Sequence, residues 1–142
     1  MVDVRRPSIL LVEDEVLIAM AEKAQLQKEG YSVLHAPDGE AAVRIADGAD
    51  IDLILMDIDL GPGIDGGEAA RRILAKRQVP LAFLSSHADK ETVDKTEKIT
   101  SYGYILKGSG SLVLNASIKM ALRLAQSNHR VEQLERRFSV AF

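Results

Sequence analysis

Four apolar runs in this chain each end in side chains that can do chemistry. Ile9 to Val12 lead into Glu13, Asp14 and Glu15, and Leu53 to Met56 lead into Asp57, with Asp59 one residue further on. Leu81 to Leu84 lead into Ser85, Ser86 and His87, and Tyr104 to Leu106 lead into Lys107 and Gly108. A carboxylate at the end of an apolar run costs desolvation free energy unless something pairs with it. Read alone, such an aspartate is as well explained as a helix cap or the start of a turn. Read together, the four run ends suggest more. Carboxylates held close repel one another and raise their own pKa values, and a hard divalent cation such as Mg²⁺ relieves the repulsion. A metal-neutralised carboxylate beside a lysine can accept a phosphoryl group as an acyl phosphate. The lysine and metal offset the developing oxyanion charge, and a nearby hydroxyl can bond the new phosphoryl oxygens. An oxygen-only ligand set argues against zinc.

The elements that must hold these residues alternate. Ser8 to Val12 is a short continuous apolar run, as in a strand buried on both faces. Residues 16–30 read as a helix closed by Gly30, 31–36 as a strand, and 37–47 as a helix opened by Pro37 and Asp38. Strands follow at 51–57, 79–86 and 103–107, with helices at 65–78, 89–100 and 111–126. Arg71, Arg72, Lys76 and Arg77 read as a basic helix end, favourable to the helix dipole. Five strands alternating with five helices mean a doubly wound α/β fold: a five-stranded parallel sheet with helices on both faces. In such a sheet ligands bind beyond the carboxyl ends of the strands, where the four polar groups converge.

Composition narrows the function classes. The 142 residues suggest one domain with a core of its own. Apolar residues make up 46% but aromatics only 4%, so that core is aliphatic. A net charge of -3, from 18 basic and 21 acidic side chains, gives no basic excess for direct nucleic-acid binding. The absence of cysteine excludes disulfides and thiolate metal sites. The apolar run near the N-terminus is too short for a signal peptide or a membrane span, so a cytoplasmic protein without membrane contact is expected. His35 and His129 lack metal-ligand spacing, and the glycine-rich 61–67 segment lacks the Lys-Ser/Thr ending of a phosphate-binding loop.

From Ser8 to Gln126 the chain resembles the response-regulator receiver domains of two-component signalling, the family typified by the chemotaxis protein CheY. The resemblance rests on ILLVEDE, APDGEAA, DLILMDIDL, PLAFLSSHAD and SYGYILKGS, which occur in the family's order. It implies a flavodoxin-like sheet of strand order 2-1-3-4-5. It implies Asp57 as phosphoacceptor, receiving its phosphoryl group from a histidine kinase or phosphotransfer protein. Mg²⁺ would be bound by Asp14, Asp57 and the backbone carbonyl of Asp59, with Glu13 acting through water. Lys107 would pair with the acceptor, Ser85 would be the switch hydroxyl and Tyr104 the switch aromatic. The outcome is a repacked surface of the fourth helix, fifth strand and fifth helix, read by a downstream protein module, with homodimerisation possible. Such a domain catalyses only its own phosphorylation and dephosphorylation and is not an enzyme in the ordinary sense.

Some positions depart from the family pattern. Gly108 stands where Pro is usual, and a cis bond before glycine costs about 2.5–4 kcal/mol, so a trans or strained bond is expected. Ser85 replaces the commoner Thr, and Ser86 the commoner Ala. The loop after Asp57 is one residue longer than usual. Asp59 and His87 occupy the two positions that flank the phosphoryl group and tune its loss to water. They could bind one another, orient a water, or simply be solvated.

Two other readings compete. The Asp-x-Asp of LMDID resembles haloacid-dehalogenase-type phosphatases, with Asp57 as nucleophile and Asp59 as general acid. Those enzymes carry the motif on an early strand, and no cap domain is visible here. A docking module with impaired phosphorylation is the other. The receiver is expected over residues 1–126, and residues 127–142 as a helical extension or linker. Val131, Leu134 and Phe138 recur at helical spacing, so the tail is either a frayed end or a connector helix, and the last helix is expected to pass Gln126. The apolar ending Val140 to Phe142 looks like a break inside a longer protein, of the hybrid or sensor-kinase-linked kind.

Overall fold

A computed structural model describes residues 5–87, 89–100 and 102–140, with side chains to Arg137. Strands β1 (Ser8–Val12), β2 (Ser32–Ala36), β3 (Leu53–Asp57), β4 (Leu81–Ser85) and β5 (Tyr104–Leu106) alternate with helices α1 (Val16–Lys28), α2 (Gly39–Gly48), α3 (Gly66–Lys76), α4 (Lys90–Glu97) and α5 (Ser111–Val140). The strands form one parallel sheet of order β2-β1-β3-β4-β5, as the resemblance implied.

The unbroken apolar runs follow from this architecture. Side chains alternate across a strand, so a strand covered on both faces needs apolar residues at every position. Leu10, Val12, Ile54, Met56, Leu81 and Phe83 pack under α2 and α3, together with Ala42, Ala70 and Ile73. Ile9, Leu11, Leu53, Leu55, Ala82 and Leu84 pack on the opposite face against Leu26 of α1 and Ile118 and Ala121 of α5. Each such large side chain, fully buried, contributes about 1.5–3 kcal/mol.

Local chemistry sets the helix ends. Asp38, Asp65 and Asp89 each accept a hydrogen bond from a backbone N–H three residues on, the N-cap bond that satisfies an otherwise orphaned donor. Helix α1 ends in a Schellman motif. Gly30 takes φ +99°, its N–H donates to Gln27 O, and the Tyr31 N–H donates to Leu26 O.

Arg77 is more than a basic helix end. Its Nη1 donates to Ala46 O and Ala49 O, at 2.9 and 2.8 Å, closing carbonyls at the end of α2. Arg77→Met keeps the aliphatic stem and removes both donors. It is expected to cost about 1–2 kcal/mol in urea unfolding, and equal stability would refute the capping role.

The last helix continues without a break from Ser111 to Val140, so the position read as a domain boundary, residue 126, lies inside it. The helix passes Gln126, as expected, and runs to Val140, while Ala141 and Phe142 lie outside the described residues. No helix among the described residues is long and apolar enough to cross a membrane.

Candidate functional site

The carboxyl ends of β1, β3, β4 and β5 bring the expected residues together. Parallel pairing sets Val12 beside Met56, Asp57 beside Leu84, and Ser85 beside Leu106. The next residue on each strand therefore opens onto the same edge. Glu13 is wholly buried and Asp57 nearly so. Lys107 Nζ donates to both, 2.8 Å from Glu13 Oε2 and 2.8 Å from Asp57 Oδ2. The other Asp57 oxygen, Oδ1, accepts from the Asp59 backbone N–H at 3.0 Å. Asp14 Oδ2 accepts from the Gly61 N–H at 3.1 Å, tying the long loop after β3 to the end of β1.

One ammonium serves two buried carboxylates. Burial raises the Asp57 pKa from 3.8 to about 6; the Lys107 bond opposes the rise and the neighbouring Glu13 adds to it. For Lys107 burial acts downward, but the bonds to Asp57 and Glu13 outweigh it and hold the ammonium well above its ordinary value. Glu13, Asp14 and Asp57 each present an oxygen within 4.8 Å of the others. Three hard oxygen donors so close fit a divalent cation such as Mg²⁺.

Ser85 is fully buried, and its Oγ accepts from the His87 N–H at 3.0 Å. Its carbonyl accepts from the Lys107 N–H at 2.8 Å, so hydroxyl and lysine share one rung of the sheet. The Tyr104 hydroxyl donates to the His87 carbonyl, fastening the segment after β4. His87 Nε2 lies 3.4 Å from Asp59 Oδ2, both largely exposed at the rim. The Lys107–Gly108 bond is trans, and Gly108 turns the chain at φ +81°.

His35 is structural, since its Nε2 meets the Glu13 carbonyl at 2.8 Å. Two carboxylates of this region carry no signal in the sequence. Glu40 accepts from the Ile64 N–H at 2.9 Å and steadies the loop after β3 from α2. Glu22 of α1 is pushed up by burial, drawn down by Lys107 and raised again by Asp57, so it belongs to the same electrostatic unit. Glu40 sits inside the APDGEAA stretch, but nothing there marks it as a partner of the distant loop, and Glu22 has no motif around it.

A 2-1-3-4-5 parallel sheet with its acidic residues at the carboxyl edge defines the CheY-like class of flavodoxin-type α/β domains. Residues 9–119 match the family model described as response regulator receiver domain. The chain is similar to the transcriptional regulatory protein PdtaR of Mycobacterium tuberculosis, 32% identical over 115 residues, 80% of this chain and 56% of that protein. Among solved structures it is similar to the N-terminal domain of a response regulator/sensory box/GGDEF 3-domain protein from Carboxydothermus hydrogenoformans. That match has 42% identity, covers 85% of this chain and 98% of the other, and has a TM-score of 0.79. It is also similar to a fusion carrying a yeast Spc42 trimeric coiled coil, at 38% identity, 99% and 97% coverage and a TM-score of 0.85. The chain belongs to the response regulator receiver domain family of two-component systems. It spans about half the length of the curated relatives it matches.

Proposed function

We propose that this receiver accepts a phosphoryl group on Asp57 from a phosphohistidine of a kinase or phosphotransfer protein. The observation that carries the reading is the buried Asp57 carboxylate held 2.8 Å from Lys107 Nζ at an acidic edge. With a pKa of about 6, Asp57 is mostly ionised near neutral pH and available as a nucleophile. A carboxylate oxygen forms the new bond to phosphorus as the phosphorus–nitrogen bond breaks, and the departing imidazole keeps the electron pair. Lys107 offsets the charge gathering on the phosphoryl oxygens. Asp14, Asp57 and the Asp59 carbonyl would hold Mg²⁺, with Glu13 behind a water; bound there, the ion neutralises phosphoryl charge.

Ser85 acts as the switch hydroxyl. Its O–H would donate to a phosphoryl oxygen, and drawing the hydroxyl inward would pull on the His87 N–H that it accepts, so that the segment fastened by Tyr104 repacks across α4, β5 and α5. Asp59 and His87 flank the entering group and set how fast water removes it. The exposed apolar start of α1, with Val16, Leu17 and Met20 directly after the acidic residues, suits a helix of the donor. Residues 1–126 form the receiver, and 127–142 serve as a helical extension or linker toward another module of a cytoplasmic protein.

The test is intact mass after incubation with acetyl phosphate. One added phosphoryl group is expected, dependent on Mg²⁺ and absent in Asp57→Asn. An adduct persisting in Asp57→Asn overturns the assignment. Repeated turnover of a small phosphoester indicates a hydrolase instead.

A further inference from the structure

The exposed side of α5 carries a regularly spaced seam, apolar at five of seven positions and interrupted by Ser117 and Ser127. Val113, Ser117, Met120, Leu124, Ser127, Val131 and Leu134 alternate at spacings of four and three, and Phe138 is the next residue in that series. This is the 3.5-residue period of a coiled-coil seam. Helix α5 meets the sheet with different residues, Leu114, Ile118, Ala121 and Leu122, so the seam is not the core-facing stripe. Met120 is 69% exposed, and Val131 and Leu134 are each 50% exposed.

We propose that this seam pairs with the same seam of a second copy of this chain, as a parallel two-stranded coiled coil. A 3.5-residue repeat is matched by another helix of the same period, and a second copy supplies one in register. Charge selects the orientation. With Val131 and Leu134 as the two core positions of a heptad, Arg123, Arg130 and Arg137 precede successive heptads, and Glu135 follows Leu134. In a parallel pair Arg130 of one helix reaches Glu135 of the other, twice by symmetry. In an antiparallel pair the three arginines face one another and repel. Neither Arg130 nor Glu135 forms an ion pair within its own chain among the described residues. A β-branched Val131 followed by Leu134 at the second core position favours two strands over three. The pairing requires no phosphoryl group, so it stands or falls independently of the function proposed above.

Sedimentation equilibrium of the 142-residue chain is expected to give a monomer–dimer equilibrium in the micromolar range. Leu134→Glu alters an exposed residue; it is expected to give a monomer with an unchanged circular dichroism spectrum. Glu135→Arg is expected to weaken dimerisation about tenfold, and adding Arg130→Glu to it should restore the affinity. Because the parent has no cysteine, Leu124→Cys provides a clean orientation test: in an antiparallel pair centred on Arg130 the two copies of residue 124 lie roughly 18 Å apart along the axis. Mild oxidation should convert it to a covalent dimer, whereas Gln133→Cys, off the seam, should not cross-link. A monomeric parent, a trimer, dimerisation unaffected by Leu134→Glu, failed rescue by the double reversal, or absent Leu124→Cys cross-linking each overturns the proposal.

Discussion

Asp57→Asn is expected to unfold at higher urea concentration than the parent in metal-free buffer near neutral pH. A carboxyl pKa of about 6 in the folded state against 3.8 as its ordinary value corresponds to about 3 kcal/mol. The sign follows from proton counting. Between those two values the unfolded chain has already lost the Asp57 proton while the folded chain retains it. Stability therefore falls as pH rises across that window and stays low above it. An amide carries no charge to desolvate and leaves Lys107 free to serve Glu13 alone. The gain from Asp57→Asn is set at about 1–3 kcal/mol, because the amide also forfeits part of the Lys107 bond. The parent should lose stability between about pH 4 and 6, and the variant should show a flatter profile there. Added Mg²⁺ should stabilise the parent more than the variant, since the cation binds the folded acidic site and loses one ligand in Asp57→Asn. A variant less stable than the parent near neutral pH, with an unchanged pH profile, would show that Lys107 fully compensates both carboxylates. The residue proposed to do the chemistry is thus one whose ionisation works against the fold.

Gly66→Ala is expected to damage both fold and site, while Gly67→Ala, one residue on, leaves them intact. A Cβ on Gly66 would lie 2.0 Å from the Asp57 carbonyl oxygen and 2.9 Å from the Ile58 Cα. Both neighbours are backbone, so relief requires α3 to move off the end of β3. Such a displacement costs about 3 kcal/mol and shifts the Asp57 carboxylate relative to Lys107. The variant should unfold at lower urea concentration and accept a phosphoryl group from acetyl phosphate more slowly than the parent. A Cβ on Gly67 meets its nearest atom, Asp65 Oδ1, at 3.4 Å, an ordinary contact. There the intrinsic preference of alanine for a helix should give about 0.5–1 kcal/mol of added stability. Equal behaviour of the two variants would refute the close packing of α3 against the end of β3.

That pair of glycines shows where the sequence stops being informative. In the sequence Gly66 and Gly67 are equivalent members of a glycine-rich segment, and only tertiary approach distinguishes them. The strands are legible because burial on both faces demands an apolar residue at every position, which few other structures do. The site is legible because four of those runs end in polar groups of complementary chemistry, and a parallel sheet sets all four ends along one edge. The capping role of Arg77 is not legible, because its acceptors are backbone carbonyls 28 and 31 residues upstream, which carry no side-chain signature. Glu40 and Glu22 are hidden for a related reason: a carboxylate in a helix looks solvated until the fold brings something to it. The meeting of Lys107 with Glu13 as well as Asp57 is equally hidden, since it joins residues 94 apart.

The length of α5 gives the molecule a mechanical property. Its 30 residues form a rod of roughly 45 Å, packed on the body from Leu114 to Leu122 and tied to it again where the Asn128 amide donates to the Tyr102 hydroxyl at 3.0 Å. From Asn128 to Val140 the rod reaches roughly 18 Å beyond that last tie. A tilt of about 10° in the packed part, whose amino end lies just past Lys107, would carry the far tip by roughly 3 Å. The helix has the geometry of a lever whose short side lies beside the acidic edge.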